Sequence, residues 1–252
     1  APHAPYTVTP HLLQEAVSLA QEFDVPLHIH IAETKQEVED HRKEYGMPPV
    51  PWLKKQGIFE ARTSAAHCVH LDDGEITTLT HYDVGVVHNP SSNLKLASGI
   101  APISKMLEKG LNVGIGTDGP ASNNDLDMFE EMRLTSFLGK VATMDPTAIP
   151  ARKTLEMATI MGARALHIDE LTGSLEAGKR ADLVVVRMDR VRHAPTYQRD
   201  PKNIYSRVVY TAHADDVQHS MVNGQWLMRD FQFLSLFDDA QIYRIVTSMA
   251  LA

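Results

Sequence analysis

Residues 10–23 (PHLLQEAVSLAQEF) place Leu13, Ala16, Val17 and Ala20 on one face at helical spacing, and DVPLHIHIA then reads as a short buried strand. The alternation recurs. A polar helical stretch ends near Gly57 and is followed by the strand-like TSAAHCV at 63–69. A short acidic helix from Asp72 precedes DVGVV at 83–87, and a helix around PISKMLEKG precedes LNVGIG at 111–116. Short apolar strands separated by helical segments predict βαβ units and a parallel sheet with right-handed crossovers. After Gly116 the rhythm changes to helical stretches at 124–140 and 151–166.

From about residue 173 the composition shifts to GSLEAGKRADLVVVRMD, then a polar Pro-containing stretch, IYSRVVYTA and DVQHSMVNGQWLMRD. Val184, Val185 and Val186 suit a buried strand, and Asn223-Gly224 between VQHSMV and QWLM predicts a hairpin. The pattern divides the chain into an alternating α/β region at 1–172, a mostly β appendage at 173–237 and a last amphipathic helix at 238–252.

Composition narrows the classes of function. The 252 residues are 43% hydrophobic and 22% charged, which excludes disorder and fibrous structure. A formal charge of -8 with no basic stripe speaks against polymeric nucleic acid as a partner. No run of about 18 apolar residues predicts a membrane span. The single cysteine, Cys68, excludes an internal disulfide framework and fits a reducing, cytoplasmic setting, while thirteen histidines are a large stock of metal ligands.

Those histidines fall where the strands end, which is where ligands bind in parallel α/β folds. His28 and His30 alternate with Leu27, Ile29 and Ile31, so both point to one side of their strand, and Glu33 follows in the loop. His67 ends the next strand, followed by His70. His88 and Asn89 follow the third, with Ser91, Ser92 and Asn93, and Asp118 follows the fourth. Imidazoles and a carboxylate converging from separate strands can hold a divalent metal, and a neighbouring carboxylate can move protons. Each residue also has a plainer reading. A histidine on an apolar strand can be a hydrogen-bonded core residue, Asp-Gly-Pro is turn chemistry, and Glu33 can complement a helix dipole. His41, His81, His193 and His219 lie in polar surroundings and receive no role. Cys68 beside His67 invites a nucleophile reading, against which its strand position favours a small buried hydrophobe.

The ordered set HIHIAET, AAHCVHLDD, HNPSSNLKLASGIAP and GIGTDGPASNNDLDMFEEMR, with APHAPYT before it and GSLEAGKRADLVVV after it, resembles the amidohydrolase superfamily. The branch it resembles is that of 5-methylthioadenosine/S-adenosylhomocysteine deaminases and related chlorohydrolase-like enzymes. The resemblance implies a metal-dependent (β/α)8 TIM-type barrel flanked by a small β-sandwich. It implies that His30 and His67 are metal ligands, that Asp118 is a carboxylate bound to or beside the metal, that Glu33 shuttles protons and that His3 contacts substrate. The implied cofactor is a divalent ion, zinc or iron. The implied reaction is hydrolytic deamination of an adenine-type nucleoside to its inosine analogue and ammonia.

One departure is large. The superfamily's first-strand His-x-His pair has no counterpart, since His28-Ile29-His30 belongs to the fifth-strand motif. The expectation is a C-terminal half-barrel with part of the β-sandwich, accompanied by the N-terminal portion of the same enzyme and able to form a homo-oligomer. Three alternatives remain: a sister enzyme acting on guanine, cytosine or an s-triazine; an inactive fragment or assembly module; and a hydrolase built on Cys68 and His67.

Overall fold

The computed structural model describes residues 1–196, 200–234, 241, 243 and 244. Its first element, helix α1 (Pro10–Glu22), starts where Thr9 accepts a hydrogen bond from the Leu12 N–H and Pro10 supplies a φ suited to a first turn. Leu13, Val17 and Ala20 face inward, against strand β1 (Leu27–Ile31). In β1 the residues Leu27, Ile29 and Ile31 are buried on one side, so His28 and His30 lie together on the other.

Helices α2 (Lys35–Tyr45) and α3 (Pro49–Lys55) lead to β2 (Thr63–His67), buried throughout. Helix α4 (Asp73–His81) leads to β3 (Gly85–His88), and α5 (Pro90–Lys95) and α6 (Ile103–Glu108) lead to β4 (Val113–Ile115). The strands pair in parallel in the order β1-β2-β3-β4, with Ile31 opposite His67 and His88 opposite Ile115. Helices on the connections bury the sheet, which is why its strands read as apolar runs.

Short helix α7 (Pro120–Asn123) and long helix α8 (Met128–Thr143) follow. The helix expected at 151–166 is broken into α9 (Ala151–Met157) and α10 (Ile160–Ala165), with the backbone leaving helical geometry at Thr159. The break lets α10 lie directly on the sheet. A Cβ at Gly85 would sit 2.0 Å from the Ala165 carbonyl oxygen, and one at Gly114 would sit 2.8 Å from the Gly162 Cα, so this contact needs glycine on the strands.

Strand β5 (Leu183–Val186) begins an antiparallel sheet. Between it and the next strand the segment IYSRVVYTA forms helix α11 (Asn203–Thr211), where the sequence suggested β structure. Its β-branched residues favour strands in general, but Tyr205, Val208, Val209 and Ala212 recur at helical spacing and pack into the core beside α8 and α9. Strands β6 (Val217–Val222), β7 (Gln225–Arg229) and β8 (Gln232–Phe233) complete the order β5-β6-β7-β8. The predicted hairpin is present, with Asn223 and Gly224 both at positive φ. Val184 and Val185 are exposed at 54% and 41%, not buried as read from sequence, because among the described residues no second sheet covers them. The helix expected at 238–252 lies outside the described residues but for three positions. None of the described helices is long and apolar enough to cross a membrane.

Candidate metal centre

The carboxyl ends of β1, β2 and β4 deliver His30, His67 and Asp118 to one place, with one potential donor atom of each lying within 4.8 Å of the others. The chain turns sharply at these ends: Ala32, His67, Cys68 and Asp118 all adopt left-handed φ angles, between 50° and 68°. Such conformations are costly for residues with a Cβ and persist only where surrounding structure holds them.

Hydrogen bonds fix which atom each side chain presents. His30 Nδ1–H donates to the His3 carbonyl oxygen at 2.7 Å, and the His30 backbone N–H donates to the same oxygen at 3.0 Å. His67 Nδ1–H donates to Asn93 Oδ1 at 2.9 Å. Both imidazoles are thereby held in the tautomer whose Nε2 carries a free lone pair, the arrangement that orients metal-binding histidines. The two rings lie nearly parallel with centroids 5.1 Å apart.

His67 Nε2, fully buried, lies 3.7 Å from Glu33 Oε2 and 4.0 Å from Asp118 Oδ2, too far for a direct hydrogen bond. Asp118 accepts from Ser92 Oγ at 2.6 Å and from the Gly119 N–H at 2.7 Å. Partial burial pushes its carboxyl upward, but these hydrogen bonds, with His67 and His30 nearby, outweigh that and hold it below the usual carboxylate range. Glu33 Oε1 accepts from Ser98 Oγ at 3.3 Å, and the Ser98 carbonyl is itself held by His70 Nε2 at 2.6 Å. The donor set fits a divalent ion: two oriented imidazoles and one carboxylate, held apart rather than bonded to each other.

The other polar residues read from sequence sort around this centre. His3 packs its ring 4.9 Å from the His30 ring and bonds Thr7 through Nδ1, so it lies at the edge of the cluster. His28 lies on the same side of β1, and burial first, with His30 next, pushes its imidazole down. His88 is buried, and burial, reinforced by His67, pushes it down to about 3, leaving a neutral ring outside the donor group. His41 and His193, which sequence placed in polar surroundings, are both buried. His41 packs against Tyr45 and Trp52 and bonds the Met47 carbonyl. Cys68 is fully buried, and burial pushes its thiol far above its ordinary range, which removes the thiolate that a nucleophile requires.

Sequence reasoning gave no roles to Asn93, Ser92, Ser98 and His70, which orient His67, Asp118 and Glu33. One signal was available. The run NPSSN directly after β3 concentrates hydrogen-bonding side chains at the strand end, where ligands bind in parallel α/β folds.

The parallel sheet gathers two histidines, an aspartate and a glutamate at its strand ends, and the sequence profile of the amidohydrolase family matches residues 1–227. The chain belongs to that family. It is 47% identical over 238 residues to a 5-methylthioadenosine/S-adenosylhomocysteine deaminase of Desulforudis audaxviator, covering 94% of this chain and 54% of that protein. It is 44% identical over 249 residues to a 5'-deoxyadenosine deaminase of Methanothermobacter thermautotrophicus, covering 99% of this chain and 56% of that protein. Among solved structures, an adenosine deaminase from Xanthomonas campestris with bound zinc superposes with a TM-score of 0.93 at 37% identity, over 99% of this chain and 56% of that one. The chain thus spans about half the length of the curated relatives it matches.

Proposed function

We propose that this chain carries metal-holding and proton-moving residues of a hydrolytic deaminase acting on adenine-type nucleosides, 5-methylthioadenosine and S-adenosylhomocysteine. The observation that carries the reading is the convergence of His30, His67 and Asp118 with Glu33 facing them. His30, His67 and Asp118 would hold a divalent ion, with zinc favoured by the zinc-bound Xanthomonas relative. Such an ion lowers the pKa of water, making hydroxide available near neutral pH.

Asp118, kept ionised by Ser92 and Gly119, accepts the proton from the attacking water. Glu33, steadied by Ser98, gives a proton to a ring nitrogen as the oxygen adds to the amino-bearing carbon. His67, whose Nδ1–H is committed to Asn93, would orient the attacking oxygen through the ion that its Nε2 would help hold, and His3 contacts the substrate from the edge of the cluster. The carbon–nitrogen bond then breaks as Asp118 passes the water's proton to the amino group, which leaves as ammonia, while the added hydroxyl gives its proton back to Glu33 and becomes the ring carbonyl of the inosine analogue. The reading includes an N-terminal part of the same enzyme supplying the remaining ligands and strands, since four strands cannot close an eight-stranded barrel. It also includes a division near residue 172, with the antiparallel sheet contributing to a small flanking β-sandwich, and a cytoplasmic setting.

The test is metal analysis of the purified protein combined with ammonia release from 5-methylthioadenosine, S-adenosylhomocysteine, guanine and cytosine. The expected result is about one tightly held divalent ion per site and release from the two adenine nucleosides, abolished by a chelator. Release from guanine or cytosine alone would overturn the substrate assignment, and chelator-resistant activity would overturn the metal-dependent reading.

A further inference from the structure

Glu37, Glu75 and Glu131 sit in the first turns of helices α2, α4 and α8. Glu37 and Glu75 complete local capping boxes with Thr34 and Asp72, and that role accounts for their position. Glu131 differs. The cap of its helix, α8, is already supplied by Asp127, which accepts from the Phe129 N–H at 2.8 Å. Glu131 nonetheless buries its carboxyl at 1% exposure, a position that is costly unless it is fully hydrogen-bonded.

Its partners lie in the short helices that follow β3 and β4, Ser91 in α5 and Asn123 in α7. Oε2 accepts the Ser91 N–H at 3.1 Å, and Oε1 accepts from Asn123 Nδ2 at 2.8 Å. The same Asn123 amide also donates to the Thr117 carbonyl at 2.7 Å. Ser91 precedes Ser92, whose hydroxyl donates to Asp118 Oδ2 at 2.6 Å, and Thr117 precedes Asp118. The contacts close a ring through Glu131, Ser91, Ser92, Asp118, Thr117 and Asn123, so both ends of the Ser92–Asp118 hydrogen bond are anchored to one carboxylate. Asp118 needs such anchoring, because its φ of 60° is held only where surrounding contacts over-determine it.

We propose that Glu131 is a positioning residue for Asp118: from α8 it locks the segments after β3 and β4, which include α5 and α7, against each other and so sets the orientation of the Asp118 carboxylate in the donor group. The metal consequence rests on the function proposed above, whereas the clamp is a property of the segments themselves.

The test is a double-substitution cycle read as zinc affinity by chelator competition. Glu131→Gln is expected to weaken zinc binding by about 10- to 100-fold. Ser92→Ala is expected to weaken it comparably, and the double variant to go no further than the larger single effect, because both act through one ring. Asp127→Ala, which removes the cap at the same end of α8, is expected to lower the melting temperature without changing zinc affinity. Independent, multiplying effects, or unchanged zinc affinity in Glu131→Gln, would overturn the proposal. A second reading needs no metal: in zinc-free protein, Glu131→Gln should speed amide exchange at 89–93 and 117–124 by about tenfold while leaving β1 unaffected. Unchanged exchange there overturns the clamp. Faster exchange in a protein that never binds zinc supports the clamp and overturns the proposed function instead.

Discussion

Two histidine–aspartate pairs, one at the strand ends of the parallel sheet and one beside the antiparallel sheet, use the same side chains to different ends. His193 and Asp216 lie 3.2 Å apart and are both buried. Asp216 also takes hydrogen bonds from Arg192 and the His213 N–H, and His193 Nδ1 meets Thr211 Oγ1 at 2.8 Å. Asp216 thus has several partners within the chain, and His193 Nε2 faces it across 3.2 Å. His67 and Asp118 are held 4.0 Å apart, each oriented by a neighbour on its far side, with Nε2 of His67 and an oxygen of Asp118 turned toward a common point. The closed pair fastens structure, whereas on the proposed function the open pair would share a divalent ion.

Substitution at the open site should therefore damage chemistry and spare the fold. Glu33→Gln is expected to lower deaminase turnover by about 10²- to 10⁴-fold while metal content stays normal. Near-normal turnover would remove Glu33 from proton transfer. Asp118→Asn should lose the metal yet change the stability of the metal-free protein by only about 1 kcal/mol, the scale of the hydrogen bonds it disturbs. A much larger loss in urea unfolding would mean that the open pair is structural after all.

At the closed pair the expectation reverses. Asp216→Ala leaves His193 buried opposite no carboxylate and should cost about 3 kcal/mol of unfolding free energy, with zinc content per folded molecule unchanged. The effect also carries a pH signature. Burial pushes the Asp216 carboxyl up, but hydrogen bonds from Arg192, His213 and His193 outweigh it and leave the folded value below the unfolded one. The stabilisation is then fully present above about pH 4, the unfolded carboxyl value, and is lost as pH falls through the lower folded value. Urea unfolding of the wild type and Asp216→Asn should differ at neutral pH and converge in acid. A gap that widens on acidification would contradict the assignment.

The open site was more legible in sequence than the closed one, for a physical reason. His30, His67 and Asp118 stand out because strand alternation and strand ends are local patterns: His30 interrupts an apolar run, His67 ends a strand and Asp118 follows one. His193 lies among Arg190, Arg192, Asp215 and Asp216, a grouping that reads as solvated surface until the fold turns those charges on one another. The links that orient the open site were likewise hidden. Ser98 reaches Glu33 across 65 residues, and Glu131 reaches Ser91 across 40, distances at which no periodicity connects them. Helix α11 was obscured for a different reason: its β-branched residues suggested strand although its apolar spacing was helical.

Cys68 gives the smallest expected effect and the sharpest limit on the open site. It adjoins His67 in sequence, yet the turn at the end of β2 buries it completely, with its backbone N–H donating to the Ile31 carbonyl and its thiol directed at the Ala65 carbonyl. Burial first, then the fields of Glu37 and Glu75, favour the neutral thiol, so the group acts as packing in the core rather than as a nucleophile. Cys68→Ala removes one sulfur atom from a filled site and should cost about 1 kcal/mol in stability. Turnover per folded molecule and zinc content should not change, as read by active-site titration against the melting curve. A collapse of turnover in a protein that melts normally would place chemistry on Cys68 and move the boundary of the open site one residue beyond His67.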